Sequence, residues 1–168
     1  LPSCMSRIMV PAGRHARSDW GLPPEGHLYM TAQTVYKYHP DFDPLYGELL
    51  RRDPQGWLVI FAGRIDEWTR LLKHRLQQSC GDVFDRIVWL TRMSHADYLQ
   101  AITHAAALLD TPAFNGGTTS FESVAAAVPV VTWPGSFLRN RTTLAVYRTI
   151  NVLDTVARDR EEYLTIAL

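Results

Sequence analysis

Short apolar segments alternate with stretches of helical periodicity along most of the chain. Residues 57–62 form a continuous apolar run, typical of a strand buried on both faces of a parallel sheet, whereas residues 65–78 place their apolar side chains on one side of a helix. The same alternation continues to the end of the chain. Strands are predicted at 27–33, 57–62, 86–90, 106–110 and 129–133, and helices at 41–52, 65–78, 94–104, 120–127, 140–150 and 158–168.

Strands separated by helices indicate βαβ units, so the predicted fold is α/β, with a Rossmann-like, doubly wound parallel sheet. Ligands of such sheets bind beyond the carboxyl ends of the strands. Four segments follow strand ends and should meet there, at 33–37, 63–64, 91–95 and 110–119. Residues 1–20 lack periodicity and contain Pro and Gly, which predicts a linker or the tail of a preceding lobe. Residues 21–168 are predicted to form one domain.

Composition excludes several classes of function. The 168 residues hold 17 basic and 17 acidic side chains, so the basic excess typical of nucleic-acid binding is missing. No apolar run reaches the ~18 residues needed to span a bilayer. Two cysteines do not make a disulfide framework, which favours a reducing compartment. The chain begins without Met or a signal region, and it is therefore interpreted as a fragment.

The segment from Asp110 to Glu122 carries the strongest chemical signal. A strand is followed by Asn115, Gly116 and Gly117, then by Thr118 and Thr119 at the predicted start of a helix. A helix N-terminus presents free amides and partial positive charge, and glycines let an anion approach closely, which favours a phosphate site. One turn further on, Glu122 is placed to bind the hydroxyls of an attached sugar. A capping box between Thr119 and Glu122, with no ligand, is the alternative.

Charged residues also follow the other strands. Lys37 could place its ammonium against a diphosphate, although a solvated loop lysine is the alternative. Arg64 and Arg92 could contact phosphate or pair with a carboxylate, and His95 could touch a base or simply lie exposed near a helix start. Neither a metal-ligand spacing nor the GxxxxGK[ST] and GxGxxG patterns occur, which argues against a metal site, an NTPase and a hydride-transfer enzyme.

Three stretches together carry a family resemblance: the run at 110–119, the sequence Val-Pro-Val-Val-Thr-Trp-Pro-Gly at 128–135, and Val-Tyr-Lys followed by Pro40. Arg141 and residues 160–163 extend it. The chain resembles the C-terminal catalytic half of O-GlcNAc transferase-like glycosyltransferases of the SPINDLY type, including bacterial relatives that often carry tetratricopeptide repeats. The resemblance covers roughly residues 20 to 168, and the combination of motifs is specific.

This resemblance implies the C-terminal lobe of a GT-B enzyme that is cytoplasmic, inverting and metal-independent, with a UDP-sugar in the cleft between two lobes. Lys37 would stabilise the leaving diphosphate, Thr118 and Thr119 would bind phosphate, and Glu122, where better-known members have Asp, would bind the ribose. The protein acceptor would depend on an N-terminal lobe or repeats outside this chain. Alone, the chain should bind donor weakly and transfer nothing.

Other positions depart from the family pattern. The family's glutamine before the lysine loop is Thr34 here, with Gln33 one place earlier, while its uracil-contacting lysine and following histidine are His95 and Tyr98. Gly117 stands where some members have histidine. A sugar-nucleotide 2-epimerase and a non-catalytic scaffold lobe remain as alternative functions. The candidate substrate-binding residues are Gln33, Thr34, Arg64, Met93, His95, Asn115, Gly116, Gly117, Thr118, Thr119 and Glu122, with Lys37 catalytic and no cofactor or metal.

Overall fold

A five-stranded parallel sheet with helices on both faces organises the chain. The computed structural model describes residues 8–11 and 15–168. The strands are β1 His27–Thr31, β2 Gly56–Phe61, β3 Ile87–Leu90, β4 Ala107–Leu109 and β5 Val130–Val131. The helices are α1 Asp43–Arg52, α2 Asp66–Ser79, α3 His95–Ala101, α4 Thr118–Ala125, α5 Thr142–Ile150 and α6 Arg160–Ala167.

The strand order is β3-β2-β1-β4-β5, and each neighbouring pair is parallel. The predicted doubly wound α/β fold is therefore confirmed. The chain moves outward in one direction from β1 to β3 and then returns to β4 on the other side of β1. The order thus reverses between β1 and β4, and this switch point is where open parallel sheets leave a crevice for a ligand.

Side chains alternate between the two faces of the sheet and pack into two separate cores. Leu28 and Met30 of β1 pack into a cluster with Leu99 of α3 and Tyr147 of α5. Tyr29, between them, points to the other face, where the second cluster includes residues of α1, α2 and α6. Because both faces of the strands are covered, the central residues of the strands are apolar, as the sequence pattern predicted.

Most predicted boundaries shift by one to three residues. Strand β5, predicted over 129–133, is only two residues long, because Thr132 leaves the ladder and bridges to Val156. The predicted helix at 94–104 ends at Ala101 and continues as a 3-10 turn over Ile102–His104. Ser94 caps the N-terminus of this helix, since its Oγ accepts a 3.1 Å hydrogen bond from the Asp97 amide.

The predicted linker at residues 1–20 is only partly described, since residues 1–7 and 12–14 lie outside the described residues. Within the described part, Arg17–Trp20 form a 3-10 turn. Ile8 and Trp20 pack against the cluster on the α3 face. This portion of the chain therefore contacts the core on the α3 face of the sheet.

Candidate functional site

The loop after β1 and the loop after β4 meet at the switch point. Gln33 Nε2 donates a 2.9 Å hydrogen bond to Thr119 Oγ1, in the first turn of α4. Lys37, in a 3-10 turn after β1, donates to Gln33 Oε1 at 2.9 Å and to the Asn115 carbonyl at 2.8 Å. These three bonds bring the loop after β1 into direct contact with the loop after β4. The first, which contains Lys37, is called the lysine loop, and the second, which contains Gly116 and Gly117, is called the glycine loop.

Lys37 is half-buried rather than a solvated loop lysine. Its ammonium lies 4.4 Å from the centre of the Phe114 ring, in a cation–π arrangement. Burial lowers the pKa of Lys37, and the negative charge of Asp110 opposes that shift. The ammonium is held by two oxygens and one ring, so it is oriented before any ligand arrives.

The glycine loop approaches its neighbours too closely for most side chains. A Cβ at Gly116 would lie 2.5 Å from both Ser120 Oγ and Thr119 Oγ1. At Gly117, by contrast, a Cβ would meet no atom within 4 Å. Gly116 is therefore required by packing, whereas Gly117 leaves open space at the end of the helix, where an anion has room.

Helix α4 begins at Thr118 with Gly117 as its N-cap, and no side chain caps it. The helix starts two residues before the predicted position 120, and the alternative of a capping box between Thr119 and Glu122 is excluded. Thr119 Oγ1 instead accepts from Gln33, and Glu122 lies beside His95. The first amides of α4 therefore have no capping side chain, which leaves them available to an anion.

Glu122 and His95 form a pair across the site. His95 Nε2 lies 2.7 Å from Glu122 Oε1, with the histidine side chain 66% exposed and the glutamate 7% exposed. The ring of His95 stacks on Tyr98, whose hydroxyl has no hydrogen-bond partner among the described residues. Burial, with the Glu122 carboxylate nearby, raises the pKa of Tyr98.

An open cleft of about 310 Å³ lies beside this network. It joins the ends of β1, β2 and β3, and its floor carries the aromatic rings of Phe61 and Tyr98, which pack edge to face. The face of an aromatic ring beside the uncapped N-terminus of a helix suits a nucleobase. The lining residues are Ala32, Gln33, Thr34, Phe61, Ala62, Gly63, Arg64, Arg92 and Tyr98.

The structure brings most of the predicted residues together but not all of them. Thr34 and Arg64 are exposed at the cleft. Met93 is partly buried against the core cluster on the α3 face and is not among the residues that line the cleft. Asn115 is buried, with its side-chain Nδ2 bonded to the Thr111 carbonyl and no partner for Oδ1 within the described residues.

The sequence identified Asp110 only as a strand end. Its side chain lies beneath the glycine loop, 1% exposed, where Oδ1 accepts a 2.8 Å bond from the Gly116 amide. Oδ2 accepts from Thr132 Oγ1 at 2.9 Å and from Thr143 Oγ1 at 2.6 Å. A carboxyl group ending a buried apolar strand, with threonines just after β5 and at the start of α5, was the available signal.

Comparison with known proteins agrees with this geometry. The model of the family described as Glycosyl transferase family 41 matches residues 6–168. The chain belongs to this family. This family 41 chain is 26% identical over 155 residues to a UDP-N-acetylglucosamine--peptide N-acetylglucosaminyltransferase of Caenorhabditis elegans, covering 91% of this chain and 13% of that protein. It therefore spans only a small part of that relative's length.

Two solved structures share the fold. A lysine-to-methionine mutant of the Thermobaculum terrenum O-GlcNAc transferase matches with a TM-score of 0.77 and 27% identity, over 85% of the family 41 chain and 28% of that chain. A Listeria monocytogenes protein described as a UDP-N-acetylglucosamine 2-epimerase matches with a TM-score of 0.59 and 12% identity, over 95% of this chain and 40% of that one. The second match shows a shared fold and nothing about the reaction.

Two further properties bear on the site. Among the described residues, no helix is long and apolar enough to cross a membrane. The same residues contain no group of three or more His, Cys, Asp or Glu side chains that could hold a metal ion.

Proposed function

We propose that this chain is the donor-binding lobe of a glycosyltransferase that transfers N-acetylglucosamine from UDP-N-acetylglucosamine to protein. The observation that carries the proposal is the contact between Lys37 and the glycine loop at the switch point. It holds an ammonium near the uncapped N-terminus of α4. Family membership and the names of the relatives support the identity of donor and acceptor.

The reaction class follows from what this arrangement can stabilise. The acceptor hydroxyl attacks the anomeric carbon, the bond from that carbon to the β-phosphate oxygen breaks, and UDP leaves with the electron pair. The proton of the acceptor hydroxyl passes to the departing diphosphate, directly or through water. Displacement from the opposite face inverts the anomeric centre. Negative charge grows on the diphosphate as the bond breaks. Lys37 and the amides of Thr118 and Thr119 are oriented towards that charge in advance, which lowers the barrier without reorganisation.

We further propose that this reaction needs no metal ion. Divalent cations in many sugar-nucleotide sites neutralise the diphosphate. Here a fixed ammonium and a helix N-terminus offer the same charge compensation. The cleft floored by Phe61 and Tyr98 would hold the base, and Glu122 would accept hydrogen bonds from the ribose hydroxyls after giving up its contact with His95.

The protein acceptor is proposed to bind outside this chain, on a second lobe or on repeats of the longer protein. The chain spans 13% of the Caenorhabditis elegans relative and 28% of the Thermobaculum terrenum structure, so most of those proteins lies beyond the matched region. The isolated lobe should therefore bind UDP weakly and transfer nothing.

The test uses the full-length protein that carries this chain. Calorimetry with UDP should show binding, and mass spectrometry of a peptide mixture incubated with UDP-N-acetylglucosamine should show addition of one N-acetylhexosamine. Conversion of the donor to its 2-epimer without peptide modification would assign the epimerase reaction instead. Absence of both UDP binding and product would leave a scaffold lobe.

A further inference from the structure

We propose that Asp110 is a positioning residue for the donor diphosphate: its buried carboxylate fixes the Gly116 amide and the first turn of α4, and it supplies the negative charge that faces Lys37. This inference rests on the proposed function, because it concerns the same phosphate site. Asp110 itself lies beneath the loop and has no route to the ligand.

Three donors from separate elements converge on this carboxylate. They are the Gly116 amide in the loop after β4, the Thr132 hydroxyl after β5 and the Thr143 hydroxyl in α5. An ionised carboxylate accepts all three bonds without donating any. One side chain thus sets the position of the loop relative to two neighbouring elements.

The hydrogen bonds continue from the carboxylate to helix α4. Thr143 has a single hydroxyl proton and donates it to Asp110, so its oxygen accepts the 2.8 Å bond from Ser120 Oγ. Ser120 lies in the first turn of α4, next to Thr119. Each hydrogen bond in this series has a fixed donor and acceptor only while the Asp110 carboxylate is ionised and can only accept.

The charge of Asp110 is compensated at a distance rather than by a contact ion pair. In the part of the chain that the structure describes, no arginine or lysine lies within salt-bridge distance of its carboxylate; Lys37 is the cation that acts on it through space. Tyr46 of α1 and Tyr163 of α6 also face it, but burial raises the pKa of both phenols. Both therefore stay neutral across the range in which Asp110 titrates.

Protonation of Asp110 falls within an accessible pH range. Burial raises its pKa to about 6, although Thr143, the Gly116 amide and Thr132 oppose the shift. Below that pH the carboxyl group carries its own proton, one of the three donors loses its acceptor, and Lys37 loses the opposing charge. We therefore expect kcat/KM for the sugar nucleotide to fall on an acidic limb near pH 6.

Three variants of the full-length protein test the assignment through pH profiles of kcat/KM. Asp110→Asn, which is isosteric and cannot ionise, should lower kcat at pH 7.5 by about tenfold or more and abolish the acidic limb. Deprotonation of Lys37 should give the profile a second limb on its alkaline side. Asp110→Asn should move this alkaline limb to lower pH, since Lys37 loses the charge that raises its pKa. Thr132→Val removes one donor to the carboxylate and should move the acidic limb up by about one unit.

Tyr163→Phe is the matched control. It deletes a 2.9 Å hydrogen bond to the backbone carbonyl of the same residue but leaves the carboxylate intact, so both limbs should stay where the wild type has them. If Asp110→Asn does not fold, Thr132→Val decides the question alone. The inference is overturned if the limbs of the kcat/KM profile lie at their wild-type pH in Thr132→Val, or in a folded Asp110→Asn.

The failure of the proposed function has a different outcome. If Lys37→Ala is inactive but the pH profiles of Asp110→Asn and Thr132→Val match that of the wild type, the proposed phosphate site is supported. Only the role of Asp110 is then wrong. If the wild-type protein neither binds UDP nor transfers sugar, the proposed function is wrong, and the inference about Asp110 is wrong as well.

Discussion

The ammonium of Lys37 donates a 2.8 Å hydrogen bond to the main-chain carbonyl of Asn115, 78 residues further along the chain. This bond ties the loop after β1 to the loop after β4, at the point where the strand order reverses. A lysine held in this way loses little conformational freedom when a ligand binds. Little free energy is therefore needed to order its side chain, and its charge is already placed to stabilise the transition state.

Lys37→Ala should therefore lower kcat of the full-length enzyme by roughly 10²–10³-fold while changing the KM for the sugar nucleotide much less. Charge develops on the leaving diphosphate mainly in the transition state, and an interaction made there appears in kcat. Steady-state kinetics with varied donor measures both constants. Unchanged turnover would contradict the assignment.

Lys73→Ala provides the matched control for that experiment. Lys73 is the other lysine of the chain, and its ammonium also lies over an aromatic ring, 5.0 Å from the centre of Trp89. It lies on α2, within a helix rather than in a loop at the switch point. We expect kinetic constants within about twofold of the wild type.

The two glycines of the loop should respond differently to alanine. Gly116→Ala places a methyl group within 2.5 Å of Ser120 and Thr119 oxygens, so the loop must shift and UDP affinity should fall by at least about tenfold. Gly117→Ala meets no atom within 4 Å and should leave the melting temperature nearly unchanged. Calorimetry with UDP and a thermal melt of each variant give both readouts, and equal effects of the two substitutions would contradict the packing argument.

Glu122→Ala should raise the donor KM by about tenfold with little change in kcat. Ribose hydroxyls do not change charge during transfer, so losing their acceptor weakens ground state and transition state together. His95→Ala is the informative partner variant, because it removes the competing contact at 2.7 Å and keeps the carboxylate. Its KM should equal or fall below that of the wild type. A KM unaffected by Glu122→Ala would remove this residue from the ribose site.

Binding of UDP should be insensitive to chelators. If the ammonium of Lys37 and the α4 amides compensate the diphosphate, the Kd measured by calorimetry in EDTA should lie within about twofold of that in Mg²⁺. Loss of binding in EDTA, restored by added metal, would show that a cation ligand was missed.

The sequence predicted the fold well because the strands are buried on both faces. A short continuous apolar run such as 57–62 indicates a buried strand by its length and its flanking glycines, and an amphipathic stretch such as 65–78 shows the period of a helix. Boundaries were less predictable where tertiary contacts end an element early. Thr132 continues the apolar run of β5 in sequence, but its hydroxyl bonds Asp110 and its backbone pairs with Val156.

The site was predictable in part for the same reason. The carboxyl ends of parallel strands converge, so Gln33, Lys37 and the glycine loop could be placed at one edge. Which side chains bond one another could not be read from spacing. Thr119 and Glu122 have capping-box spacing, yet each has a partner far away in sequence, Gln33 and His95 respectively. Long-range partners displaced the local motif.

Asp110 gives a final prediction, on stability. Its folded-state pKa of about 6 lies above the value of 3.8 expected for an exposed aspartate, so the folded protein holds this proton more tightly than the unfolded chain. The contribution that this proton makes to stability is complete below the unfolded pKa and is lost as the pH rises through the folded pKa. At roughly 1.4 kcal/mol per pKa unit, the ionised carboxylate costs up to about 3 kcal/mol above pH 7.

Urea unfolding of wild type and Asp110→Asn at pH 4.5 and 7.5 measures this difference. The free energy of unfolding of the variant, relative to the wild type, should increase between the two pH values, by an amount on the order of 1–2 kcal/mol. A pH-independent difference between the two proteins would mean that the Asp110 carboxyl has the same pKa folded and unfolded, and would remove the basis for an acidic limb in catalysis.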